Sequence, residues 1–173
     1  MNTFELKIWD NEAVLCTFYT VQKDGALETE TDRFFTKYET NTQYEQAAEE
    51  LLSFVLLSIG DDHGAVDELF NRYENEVTGL PTQGRIQLGE LIYHYADFPL
   101  RLYALKINDN IVVLFNGGIK DGPSNQTSSL RLQWIEACQF AKRIIEAINS
   151  NEVLIDVKNR QLTSDNGDDE IIL

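Results

Sequence analysis

Cysteine, proline and basic residues are scarce in this sequence, and each shortage excludes a class of protein. Two cysteines in 173 residues cannot form a disulfide framework. Cys16 and Cys138 lie far apart among apolar neighbours, so both are predicted to be buried free thiols. Three prolines and ten glycines exclude collagen-like and low-complexity chains. The length and the 43% hydrophobic content suit one globular domain, residues 1–173, that needs no metal for stability.

Long apolar runs are also missing. The longest, Leu51–Ile59, is interrupted by two serines and is too short to span a bilayer. The first residues lack the basic segment and apolar core of a signal peptide. We therefore expect a cytoplasmic protein without a membrane partner.

Positive charge is in deficit and unevenly distributed. Lys and Arg number 14 against 29 Asp and Glu, a formal net charge of −15, which excludes a uniformly basic nucleic-acid binder. Residues 1–100 hold 19 acids and 6 bases, whereas residues 101–160 hold 6 acids and 8 bases. Only the second segment suits contact with a nucleic-acid backbone. The acidic first half is either a solvated surface or a surface for a basic partner.

Hydrophobic periodicity predicts an α+β fold, an antiparallel sheet of hairpins with helices packed on one face. Its predicted strands form hairpins at residues 4–21 and 100–115, with further strands at 153–157 and 171–173. Its predicted helices cover residues 29–39, capped by Thr31, 44–59, ended by Gly60, 65–77, and 130–148. Residues 82–98 suit either a helix or a strand, and residues 124–129 are predicted to form a flexible loop.

The familiar catalytic motifs are incomplete. Asp61-Asp62-His63-Gly64 offers metal-ligand types, but its spacing favours a solvated loop. His94 is predicted to be a partly buried structural residue. Asn116-Gly117-Gly118 follows a buried strand yet lacks the remaining residues of a phosphate loop, and no Gly-x-Ser-x-Gly is present. We accordingly expect no cofactor and no metal.

The second hairpin carries the candidate site. Arg101 and Tyr103 are two apart on one strand and therefore share a face, and Lys120 leaves the partner strand. Arg, Lys and Tyr groups can stabilise a phosphate and exchange protons without a metal, which is what attack by a ribose 2′-hydroxyl requires. Alternatively, Arg101 pairs with one of the many acids and Tyr103 packs at a sheet edge.

The same segment resembles a known family. Phe70-Asn71-Arg72-Tyr73-Glu74, Leu80-Pro81, the strand from Leu100 to Lys106 and the run from Ile111 to Lys120 are similar to motifs of the RelE/HigB toxin superfamily and its phage-associated relatives. The resemblance covers roughly residues 65–150, leaving 1–64 as an acidic extension and 151–173 as C-terminal strands. The family's toxins are typically small and basic, unlike this chain.

The resemblance implies metal-independent messenger-RNA cleavage, usually on the ribosome, and control by an antitoxin. It implies that Arg101 and Lys120 stabilise the phosphate, that Tyr103 orients or exchanges a proton, and that Lys106 is a further candidate. An inactive descendant of such a toxin is included in this expectation. We also expect that the acidic half could fold over the basic hairpin and screen it.

A second hypothesis is a non-enzymatic acidic interaction or inhibitor protein of phage or mobile-element type. It would bind a basic protein surface through the carboxylates of residues 24–76. This hypothesis accounts better for the net charge, and the ribonuclease hypothesis accounts better for the second hairpin.

Overall fold

The computed structural model describes residues 2–123 and 130–173, and the loop predicted at 124–129 lies outside them. Seven strands form the main sheet, and in chain order they are β1 (Phe4–Asp10), β2 (Thr17–Lys23), β3 (Tyr73–Glu74), β4 (Val77–Leu80), β7 (Leu100–Asn108), β8 (Ile111–Ile119) and β11 (Ile171–Ile172). Their spatial order is β11-β1-β2-β8-β7-β4-β3. All neighbours are antiparallel except β2 and β8, which run parallel. This mostly antiparallel mixture of strands and helices confirms the α+β class.

Helices cover both faces of the sheet, whereas one covered face was expected. On one face lie α1 (Glu30–Glu39), α2 (Glu45–Ser53) and a π-helical segment, Phe54–His63; on the other lies α3 (Arg131–Asn149). Leu102 and Ala104 of β7 face the first group, and Tyr103 and Leu105 face α3. Because the central strands are apolar on both sides, each side requires a cover.

Both predicted hairpins are confirmed, but the first is not an appendage to the rest. β1 and β2 pair antiparallel, and β2 continues the sheet by pairing with β8 at Thr17↔Ile111. Residues 1–64 therefore supply two strands of the same sheet as the second hairpin, and their helices cover one face of that hairpin.

The first helix begins as predicted but has a different cap. Thr29 is the N-cap residue, and its side chain accepts a hydrogen bond from the Asp32 N–H. Thr31, predicted as the cap, is buried, and its hydroxyl donates to the Phe115 carbonyl oxygen at 3.0 Å. Thr31 thus fastens α1 to β8.

The helix predicted to end at Gly60 continues to His63 with π-helical geometry. Gly60 is buried inside this segment, where an added Cβ would lie 2.9 Å from the Ala13 Cβ. The glycine is needed for close packing rather than for termination. The chain turns at Gly64, where φ is 75°.

The helix predicted at 65–77 is wrong. Only a 3-10 turn, Asp67–Leu69, forms there, and β3 and β4 follow. Leu69 and Phe70 are buried, but Tyr73 is exposed. Pairing of β4 with β7 outweighs the helical spacing of the apolar residues.

Residues 82–98 contain a small hairpin, β5 (Arg85–Leu88) and β6 (Leu91–His94), which resolves the ambiguous segment as strand. The C-terminal strands divide between two sheets. β9 (Val153–Asp156) pairs with β10 (Gln161–Ser164) to form a separate two-stranded sheet, and β11 pairs with β1.

The two cysteines are free. Cys16 is fully buried, as predicted, whereas Cys138 is only half-buried. Burial raises the pKa of the Cys16 thiol to about 12 and, together with Glu76, that of Cys138 to about 11. Both thiols are therefore protonated and weakly nucleophilic at neutral pH.

Candidate anion-binding site

A cleft of about 490 Å³ opens beside the start of β7 and the end of β8. The described residues that line it are three cations, two aromatic residues, two carboxylates, a glycine and a proline: Arg72, Tyr95, Asp97, Phe98, Arg101, Lys120, Asp121, Gly122 and Pro123. We call it the basic cleft, after Arg72, Arg101 and Lys120. These three cations come from three separate segments of the chain.

Arg101 is the most deeply placed of the three cations. The residue is 4% exposed, and its Nη1 donates a weak hydrogen bond of 3.4 Å to the Leu100 carbonyl oxygen. Its Nε has no hydrogen-bond partner in residues 2–123 and 130–173. Burial, and secondarily the charge of Arg72, lowers the pKa of Arg101 to about 10, so the side chain is still a cation at neutral pH. A buried cation with an unused donor is costly and is a typical feature of a binding site.

Arg72 lies against Arg101 because β4 has a glycine beneath both side chains. A Cβ on Gly79 would lie 2.8 Å from the Arg72 Cδ and 2.9 Å from the Arg101 Cδ. Arg72 Nε donates to the Pro81 carbonyl oxygen at 3.4 Å. Burial lowers the pKa of Arg72, and Glu74 acts in the opposite direction. Gly79 is therefore the residue that allows two guanidinium groups to approach each other.

Lys120 follows β8 and completes the cationic group. Its backbone N–H donates to the Pro99 carbonyl oxygen at 2.7 Å, and its ammonium group donates to the Gly122 carbonyl oxygen. Burial and then Arg101 lower the pKa of Lys120.

None of the three cations of the basic cleft forms an ion pair with a described residue. Among the described residues, ion pairs involve Lys7, Lys23, Arg33 and Lys106, and none involves Arg72, Arg101 or Lys120. The alternative prediction, an ion pair between Arg101 and an acid, is therefore not observed among the described residues. The three cations converge in a protein whose net charge is −15.

Tyr103 lies beneath the cleft rather than on its described lining. The residue is fully buried opposite Gly79, and burial, followed by Glu74, raises the pKa of its phenol well above its ordinary value. A phenol in this position stays protonated and has no solvent-exposed surface. It packs in the sheet interior, not at the sheet edge.

Lys106 is separated from the other three candidates. Its neighbours Leu105 and Ile107 pack towards α3, and the Lys106 Nζ lies 2.6 Å from Asp67 Oδ1 and 2.9 Å from Asp109 Oδ1. The structure therefore brings Arg101 and Lys120 to one cleft, places Tyr103 behind it and excludes Lys106.

Sequence periodicity and motifs do not predict that Arg72, Tyr95, Asp97 and Phe98 belong to the site. The spacing of apolar residues predicts Arg72 in a helix that does not form, although Arg72 belongs to a motif that carries the family resemblance. The other three residues follow β6, in the segment whose periodicity was ambiguous.

The remaining motifs have structural explanations. Asp61 Oδ1 accepts the Val14 N–H at 2.9 Å, and His63 Nε2 lies 3.0 Å from the Tyr93 hydroxyl. Across residues 2–123 and 130–173, no three His, Cys, Asp or Glu side chains are grouped to hold a metal ion. His94 is exposed, not partly buried as predicted.

The two consecutive glycines near the end of β8, Gly117 and Gly118, allow β8 to pair closely with β7. A Cβ on Gly117 would lie only 1.8 Å from the Arg101 carbonyl oxygen, so no larger residue fits there without movement of the strands. Gly117 pairs with Leu102 and Gly118 with Arg101. The glycines thus position Arg101 and form no phosphate loop.

In the described part of the chain, no helix has both the length and the apolar character needed to cross a bilayer. Comparison with family models, with curated proteins and with solved structures found no match.

Proposed function

We propose that the protein binds a phosphate-bearing ligand in the basic cleft. The observation that carries this proposal is Arg101, a nearly buried cation on the cleft wall whose Nε has no hydrogen-bond partner among the described residues. An anion placed between Arg101, Arg72 and Lys120 would accept charge-assisted hydrogen bonds from these side chains and relieve the mutual repulsion of the three charges. Arginine is well suited to phosphate because its planar donors match two oxygens at once.

Phosphate-ester cleavage of the RelE/HigB type is the enzymatic form of this proposal. The proximity of Arg101 and Lys120 supports it, since both would stabilise charge on the phosphate. Proton transfer by Tyr103 has less support, because that phenol is fully buried with a raised pKa. We therefore place phosphate binding first and treat RNA cleavage as a further step that requires its own test.

The binding proposal is tested by titrating the purified protein with inorganic phosphate in a calorimeter. Replacing Arg101 or Lys120 by Met removes charge-assisted hydrogen bonds, and we expect affinity to fall roughly 10- to 150-fold. Lys106→Met is the matched control, because Lys106 lies outside the cleft and already pairs with Asp67 and Asp109. Equal losses in all three variants, or no binding by the wild type, would contradict the proposal.

The cleavage step is tested by inducing expression of the wild type, Arg101→Met and Lys120→Met in separate cultures. Growth arrest with fragmented messenger RNA in the wild type alone supports a ribonuclease controlled by an antitoxin. Normal growth and intact RNA in all three cultures argue for a binding protein without this activity.

A second candidate function follows from the acidic surface. Exposed carboxylates on and around α1 and α2 form this surface: Asp32, Glu39, Glu45, Glu49 and Glu50. We propose that a basic protein binds there through fast, salt-sensitive association. Reversing Glu45 and Glu49 to Lys should then abolish capture of the partner without affecting the phosphate titration.

A further inference from the structure

We propose that the ligand of the basic cleft is a nucleoside monophosphate, with its phosphate on Arg101 and Lys120 and its base against Tyr95. This inference rests on the proposed phosphate binding and adds the identity of the group that the phosphate carries. Three properties of the cleft support it: its size, its aromatic wall and the charge of the surrounding surface.

The cleft is larger than inorganic phosphate requires. A volume of about 490 Å³ lies within the range of roughly 300–1,000 Å³ typical of sites for drug-sized ligands. The three cations occupy only part of the lining, and the remainder includes Tyr95, Phe98 and Asp97. A phosphate bound at the cations leaves space for a sugar and a ring.

The aromatic wall contains Tyr95, whose ring is held by edge-to-face contacts and has no parallel stacking partner among the described residues. Tyr95 meets Phe54 and Phe98 edge to face, with ring centroids 5.4 and 5.5 Å apart. These contacts hold the Tyr95 ring, and no ring of the described residues stacks parallel to it. A nucleobase stacked on an aromatic side chain contributes about 1–3 kcal/mol, which corresponds to roughly 5- to 150-fold in affinity.

Asp97 provides an acceptor beside this ring. It is an exposed residue of the cleft lining with φ of 52°, a conformation uncommon outside glycine. A carboxylate here suits the hydroxyls of a ribose or the amino group of a base. It would repel a second phosphate, so it favours a ligand with one phosphate.

The charge of the whole molecule argues against a long polyanion. Polymeric RNA carries a charge on each nucleotide, and neutralisation of those charges provides most of its affinity for proteins. This protein has a net charge of −15, and the cleft brings together only three of its 14 basic residues. A single nucleotide meets the cations without bringing further phosphates against the acidic surface.

The test compares six probes by calorimetry on the full chain: inorganic phosphate, ribose 5-phosphate, AMP, GMP, phenyl phosphate and a ten-nucleotide RNA. We expect AMP or GMP to bind at least fivefold more tightly than ribose 5-phosphate and phenyl phosphate. Tyr95→Leu should remove that preference while leaving ribose 5-phosphate affinity unchanged, and Tyr95→Phe should retain it. Unchanged ribose 5-phosphate binding also shows that the variant is folded.

The outcomes separate this inference from the proposal on which it rests. If ribose 5-phosphate binds through Arg101 and Lys120 as tightly as AMP and GMP do, the nucleotide inference fails and phosphate binding stands. Equal binding of phenyl phosphate would also overturn it, in favour of an aryl phosphate such as a phosphorylated tyrosine. Tighter binding of the RNA than of either nucleotide would overturn it in favour of a polymer site. If no probe binds, both proposals fail.

Discussion

At the scale of single residues, Arg101 stands out because its placement lowers stability. The residue is 4% exposed, and its Nε is buried without a hydrogen-bond partner among the described residues. An unsatisfied buried polar group costs about 1–3 kcal/mol, and a neighbouring like charge adds to the cost. Such a residue is retained where ligand binding needs it.

Replacing Arg101 by Met should therefore make the protein more stable and less able to bind phosphate. We expect the free energy of unfolding to rise by about 1–3 kcal/mol and Tm by roughly 2–10 °C. Thermal unfolding without ligand measures the change, with exposed Arg85→Met as the control expected to stay within about 0.5 kcal/mol. A loss of stability in Arg101→Met would mean that the guanidinium serves the fold instead.

Strand periodicity predicts part of the candidate site. The period of a strand placed Arg101 and Tyr103 on one face, and the hairpin placed Lys120 near Arg101, as observed. It could not show that Tyr103 is fully covered or that Lys106 pairs with Asp67 and Asp109. Those facts depend on which segments pack over the strand, and strand alternation carries no information about them.

At the scale of elements, predictions succeeded where a strong local pattern agreed with the packing. The two hairpins, α1 and α3 have consistent apolar periodicity and were found close to their predicted bounds. The segment at 65–77 has the apolar spacing of a helix. Its C-terminal end nevertheless begins β4, because β4 can pair with the edge of β7 that β8 does not occupy. That error hid Arg72, because a residue placed in a helix cannot be assigned to a sheet cleft.

The π-helical segment gives an element-level prediction at Gly60. An added Cβ would contact Ala13 Cβ at 2.9 Å and Phe18 Cε2 at 3.3 Å. Gly60→Ala usually gains helix propensity, but here overpacking should win, and we expect destabilisation by about 1–3 kcal/mol. Urea unfolding measures the change. The double variant Gly60→Ala with Ala13→Gly, which removes the closest contact, should recover part of the loss, and no recovery would refute the explanation.

At the scale of the whole molecule, repulsion between carboxylates opposes the compact state. With 29 acids and 14 bases, at least 15 carboxylates have no cation of their own. Their mutual repulsion acts over roughly 10 Å at 0.1 M salt and over about 30 Å at 0.01 M. The same field weakens the approach of any polyanion.

Salt should consequently stabilise this protein. We expect Tm to rise steadily as NaCl is increased from 10 to 500 mM in the absence of ligand, because screening reduces the repulsion more than it weakens the few surface ion pairs. Potassium chloride should act in the same way. A flat or falling Tm would show that the carboxylates are better compensated than the composition indicates.

The parallel pairing of β2 with β8 has a consequence for biosynthesis. Residues 17–20 hydrogen-bond to residues 111–114, so the first hairpin has no sheet neighbour until more than half of the chain has been made. At roughly 5–20 residues per second, the ribosome takes on the order of 5–20 s to supply that neighbour. During this interval β2 exposes an apolar strand edge. Co-translational folding of this protein therefore starts late, and the nascent N-terminal hairpin is a natural client for chaperones.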